Sequence, residues 1–139
     1  MKHPFENRVV IGQPTKPDQK LAHSVADAIA SFPEVQTAHL PLVQRLDTSD
    51  KPALVLFVVL DPFCSQAGVL EQIKPRLSRC AVPGGFLDVI PMKPDDPFLY
   101  WVEKARSRIL SRSPTGEPIL ERPWTRWKLL LERLTRNFK

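Results

Sequence analysis

The longest apolar run of the chain is Ala53-Leu54-Val55-Leu56-Phe57-Val58-Val59-Leu60. It lacks polar alternation and is rich in β-branched residues, so it predicts a central strand buried on both faces. Eight residues cannot cross a bilayer as a helix, which needs about 20. Before it, Val35 to Leu46 reads as a strand in which Ala38, Leu40 and Leu42 lie on one face and Thr37 and His39 on the other. Pro41 donates no ladder hydrogen bond, which places this strand at an edge or on a bulge. His39 then reads as a surface residue. The polar turn from Asp47 to Pro52 closes a hairpin between the two runs. Arg8 to Gly12 and Phe86 to Ile90 are the other predicted strands, the latter following the turn Val82-Pro83-Gly84-Gly85.

Helical spacing appears in four places. Leu21, Val25, Ala28, Ile29 and Phe32 follow a start at Thr15-Lys16-Pro17-Asp18 and end at Pro33. Val69, Leu70, Ile73 and Leu77 form a stripe from about Ser65, with Pro75 expected to kink the helix or end its regular part. A third helix, capped by Asp95 or Asp96 with Pro97 in the first turn, is predicted through Phe98, Trp101, Val102, Ala105, Ile109 and Leu110. Ser111 to Arg122 reads as a linker. From Pro123 a last helix places Trp124, Trp127, Leu130, Leu131, Leu134 and Phe138 on one face. Arg126, Lys128, Arg133, Arg136 and Lys139 fall on the other.

The predicted order is β-α-β-β-α-β-α plus a C-terminal α tail. This is an α+β fold, a sheet of about four strands with helices packed on it. The expected organisation is a domain over residues 1–110, a linker over 111–122 and a basic amphipathic tail over 123–139.

The matching pieces of a known family run through this pattern. They are Ile11-Gly12-Gln13-Pro14, Val35-Gln36-Thr37-Ala38-His39-Leu40, the apolar strand ending in Leu60-Asp61, Phe86-Leu87-Asp88-Val89-Ile90 and Asp96-Pro97-Phe98. In order and spacing they resemble the C-terminal domain of the SseB family, bacterial proteins named for enhanced serine sensitivity, over about residues 9 to 105. The chain departs from the family where Leu99-Tyr100, and not tyrosine directly, follows Pro97-Phe98. The tail from Ser111 onward has no counterpart in the resemblance. The resemblance implies the fold and an accessory role, and brings no catalytic residues with it.

Candidate chemistry is sparse. His3, His23 and His39 make no metal-ligand pattern with each other or with cysteine. Pro83-Gly84-Gly85 lacks the Lys-Ser/Thr ending of a phosphate loop. Asp95-Asp96 is accounted for by capping. Cys64 and Cys80 flank a predicted helix whose length would hold them about 24 Å apart. A disulfide needs Cα atoms within about 7 Å, so the two read as thiols in a reducing compartment. The 15 prolines are spread along the chain and read as punctuation between short elements. No catalytic residue, metal or cofactor is expected, and the chain reads as no enzyme. A small hydrolase or transferase survives only if distant residues assemble a site. Met1 to Phe5 has no signal-peptide core, so a cytoplasmic location is expected.

Charge sharpens the picture. Residues 1–95 carry ten Lys/Arg and ten Asp/Glu, whereas residues 96–139 carry ten and five, so the net charge of +5 comes from the last third. Full burial of the six apolar residues of the last helix would contribute on the order of 10 kcal/mol. Such a stripe must cover something: its own domain, a protein partner or symmetry mate, or a membrane surface. The leading reading is an adaptor that contacts a protein, or a second copy of itself, through Trp124, Trp127, Leu131, Leu134, Arg126, Lys128, Arg133 and Arg136. The alternative is an anionic-surface binder, nucleic acid ahead of membrane, using Lys104, Arg106, Arg108, Arg112 and the tail cations. No nucleic-acid-binding motif supports that alternative.

Overall fold

An apolar strand whose successive side chains point to opposite sides must be covered twice. The computed structural model, which describes residues 9–12, 19–45, 53–80 and 87–121, shows how this is done. The element order is β1 (Val9–Gly12), α1 (Gln19–Ile29), β2 (Val35–His39), β3 (Leu42–Arg45), β4 (Ala53–Leu60), α2 (Gln66–Leu77), β5 (Asp88–Met92), α3 (Leu99–Lys104), β6 (Arg108–Arg112) and β7 (Pro118–Leu120). Leu56, Val58 and Leu60 of β4 share one core with Val25 and Ile29 of α1 and Val69 and Ile73 of α2. Val55, Phe57 and Val59 share the other with Met92, Phe98 and Val102. Helices α1 and α2 therefore cover one face of the sheet, and α3 covers the opposite face.

The fold is α+β with a mostly antiparallel sheet. Six strands follow the order β1-β3-β4-β2-β6-β7, and β5 pairs with β4 off this path. Among the described strands only the β4–β5 pair is parallel, and α2 supplies the crossover that a parallel pair needs. The sheet is thus larger than the four strands expected, for two reasons.

First, the strand expected over residues 35–46 is split at Leu40-Pro41. Its halves keep one register against β4, with His39 opposite Phe57 and Leu42 opposite Leu54. Between them the Val55 N–H donates to the Pro41 carbonyl at 3.2 Å. The proline interrupts the ladder on the side where it lacks an N–H without displacing the pairing. This strand is not at an edge. β6 pairs with β2, β1 pairs with β3, and register shifts occur at Val35/Thr37 and Ala38/His39. Of the two expectations for a strand carrying Pro41, the irregular ladder is the one found.

Second, the predicted third helix is too long. α3 ends at Lys104, and the chain leaves it through Arg106 at φ +53°. The Arg106 N–H still donates to the Glu103 carbonyl at 3.0 Å, a left-handed helix exit more often taken by glycine. Ile109 and Leu110, expected on the helix stripe, belong to β6. Residues 111–122, expected as a linker, contain the end of β6 and all of β7. The hairpin turns at Ser113-Pro114-Thr115-Gly116, with Gly116 at φ +88° and its N–H donating to the Ser113 carbonyl at 2.9 Å.

The remaining elements follow local signals. Ser65 caps α2, its Oγ accepting from the Gly68 N–H at 3.2 Å. Pro75 lies inside the last turn, and the helix continues to Leu77. β5 lies slightly later than predicted, ending at Met92 and incorporating Pro91. Arg112 ties the sheet to the α1–β2 connection by donating to the carbonyls of Val35 at 2.9 Å and Phe32 at 2.7 Å.

Candidate functional site

Helix α3 is short, and its two faces have different fates. Phe98 and Val102, four residues apart, are buried, and the Phe98 ring meets Phe57 at 5.9 Å between centroids. At about 100° per residue, Tyr100 and Lys104 then project away from the sheet, with Trp101 on the flank. Tyr100 is 59% exposed and Trp101 54%. Asp96 fixes the entry to this helix. Its Oδ1 accepts the Phe98 N–H at 2.9 Å and its carbonyl accepts the Leu99 N–H at 3.0 Å. The aspartate pair is thus explained as turn chemistry, with Asp96 the residue that acts.

The two exposed rings form a corner. Their centroids are 5.1 Å apart and their planes are inclined at 82°. The Lys104 Nζ lies 5.6 Å from the Tyr100 centroid and 5.5 Å from that of Trp101. Both distances fall within the range of cation–π attraction. Sequence reading placed Trp101 on the buried stripe of a longer helix. Once the helix stops at Lys104, that stripe reduces to Phe98 and Val102, and Trp101 is left outside.

Phe63, 96% exposed, is a second displayed aromatic. It projects from the turn after β4, where the Asp61 Oδ1 accepts the Phe63 N–H at 2.9 Å.

The tail residues Trp124, Trp127, Leu131, Leu134, Arg126, Lys128, Arg133 and Arg136 lie outside the described residues. Three members of the expected cationic cluster have separate partners. Lys104 sits over the two rings. Arg108 makes a two-pronged contact with Glu121, its Nη2 donating to Oε1 at 3.1 Å and its Nε to Oε2. Arg112 is engaged with backbone carbonyls as described above.

His39 is not the surface residue that the sequence suggested. It is 1% exposed, because β6 covers the outer edge of β2 and the ring faces the α3 side beside Phe57. Its Nε2 is 3.3 Å from the Thr37 Oγ1. Its Nδ1 and the buried Ser107 Oγ have no hydrogen-bond partner among the described residues. Burial, then the neighbouring Arg108 cation, lowers its pKa from 6.5 to about 4, against a smaller opposing effect of Glu121.

Both thiols are shifted away from reactivity. Burial first, then the carboxylates of Asp61 and Glu34, pushes the Cys64 pKa up. Burial, then Asp27, does the same to Cys80. Among the described residues no group of three His, Cys, Asp or Glu is placed to hold a metal ion, and no helix is long and apolar enough to cross a membrane.

The family model of the SseB protein C-terminal domain matches residues 4–107. The chain belongs to that family. No curated protein and no solved structure gives a match. The family match ends at Ser107, so the β6–β7 hairpin lies beyond it while remaining hydrogen-bonded into the same sheet.

Proposed function

We propose that this chain is a non-catalytic accessory domain that acts by protein–protein contact. The observation that carries the reading is the display of Tyr100 and Trp101 on α3, more than half exposed, while Phe98 and Val102 anchor the helix to the sheet. Tyrosine and tryptophan are among the residue types that dominate binding energy at protein interfaces. The second contact element in this reading is the tail, through the apolar stripe of Trp124, Trp127, Leu131 and Leu134 and the flanking Arg126, Lys128, Arg133 and Arg136.

The test is capture of proteins from a nuclease-treated native lysate by three forms of the domain. These are the full chain, Tyr100→Ala/Trp101→Ala, and a chain ending at Glu121. A cut after Glu121 leaves the β6–β7 hairpin whole, so a loss of binding then reports on the tail itself. A protein held by the full chain and released by either change supports the reading. Equal capture by all three contradicts it.

The anionic-surface alternative rests on the charge excess of the last third. It draws on Lys104, Arg106, Arg108, Arg112 and the tail cations, of which Arg108 also pairs with Glu121 and Arg112 also donates to backbone carbonyls. It predicts binding that falls steeply with salt and survives Trp101→Ala.

A further inference from the structure

We propose that the Tyr100–Trp101 corner is a receptor for a cationic side chain of a partner protein, and that Lys104 is its resident occupant. This rests on the protein-contact reading above and adds the chemistry of the contact. The two rings stand 5.1 Å apart between centroids, inclined at 82°. The Lys104 ammonium lies nearly equidistant from both centroids. The corner is therefore shaped for a cation, and the chain itself demonstrates the fit.

The occupant is replaceable. Lys104 is exposed, and its ammonium reaches the rings on a flexible four-carbon stem. Exposed cation–π contacts are the weak members of their class. An arginine fits the same corner better than lysine, because its planar guanidinium stacks on aromatic faces and is less strongly hydrated. Glu103, exposed and three residues after Tyr100, supplies a carboxylate on the neighbouring flank of α3.

The experiment uses the full chain with 15N-labelled tryptophan. The Trp101 indole signal is assigned by its disappearance in Trp101→Phe. A capped Gly-Arg-Gly peptide is titrated against a capped Gly-Glu-Gly peptide at equal ionic strength. The expected result is a saturable shift of the Trp101 signal with the arginine peptide alone. Lys104→Met, which removes the competing ammonium, should tighten that binding about two- to fivefold, the strength of an exposed cation–π contact expressed as a ratio. Tyr100→Ala should abolish saturation while the far-UV circular dichroism spectrum stays that of the unaltered chain.

No saturable shift, a response to the glutamate peptide in place of the arginine peptide, or weaker binding in Lys104→Met would each overturn the proposal. If lysate capture nonetheless depends on Tyr100 and Trp101, the protein-contact reading stands and only the cation chemistry falls.

Discussion

His39 and Arg108 face each other across the β2–β6 ladder, one a buried neutral imidazole and the other a guanidinium held by Glu121 of the following segment. Protonating the buried His39 would place a second cation beside Arg108. The folded-state pKa of about 4 lies below the unfolded value of 6.5, so the unfolded chain binds the proton more readily. The stability from keeping His39 neutral is fully present above pH 6.5 and is lost as pH falls toward 4. The full span is worth about 3 kcal/mol. Urea unfolding at pH 7 and pH 4.5 should show most of that loss, and His39→Leu should flatten the dependence. An equally steep profile in His39→Leu would assign the acid sensitivity to other groups.

Glu121 moderates the same effect. Glu121→Gln leaves Arg108 without its counter-charge and removes the carboxylate that raises the His39 pKa. The Arg108 side chain is 41% exposed, so solvent screens the pair and the cost at pH 7 should be about 0.5–1 kcal/mol. The loss of stability should still begin near pH 6.5 but deepen and extend below pH 4, because the folded-state pKa of His39 shifts further down while the unfolded value stays. That deepening, read from unfolding midpoints, separates electrostatic coupling from a simple loss of packing.

Phe98 is the anchor that makes the exposed face of α3 a fixed surface. It is 6% exposed and packs on Phe57. Phe98→Ala should cost about 3–5 kcal/mol in unfolding free energy. Trp101→Ala should cost less than about 1 kcal/mol, because its ring is more than half in water. Similar losses for the two variants would mean that Trp101 is a core residue.

Gly116 turns the β6–β7 hairpin at φ +88°, and a Cβ there would meet nothing within 4 Å. The cost of Gly116→Ala is therefore conformational, about 1–2 kcal/mol, without a steric component. Thermal unfolding of Gly116→Ala should show a moderate drop. A loss of several kcal/mol would point to contacts that the turn does not have.

The elements most legible in the sequence were those whose pattern is local and unambiguous. The run 53–60 is a strand over its full predicted length, and Val69, Ile73 and Leu77 are the buried stripe of α2. The C-terminal part of the domain was hidden by a coincidence of spacing. Trp101, Ala105 and Ile109 recur every four residues and mimic a helix that in fact ends before Ala105. No glycine marks the exit, because Arg106 adopts the left-handed conformation itself. A signal for the hairpin was present in Ser113-Pro114-Thr115-Gly116, a proline followed two residues later by glycine between two short apolar runs. The burial of His39 had no local signal, since it depends on β6, which returns to β2 after some 70 residues of intervening chain. The aromatic corner was equally out of reach, because it required knowing where α3 stops.

The measurement that tests the central claim most directly is the comparison of protein capture by the full chain and by Tyr100→Ala/Trp101→Ala after nuclease treatment, with both forms shown to unfold alike. Protein contact through α3 predicts a partner retained by the full chain and lost, or reduced at least about tenfold, in the variant. A partner retained equally by both would contradict it and remove α3 from the interface.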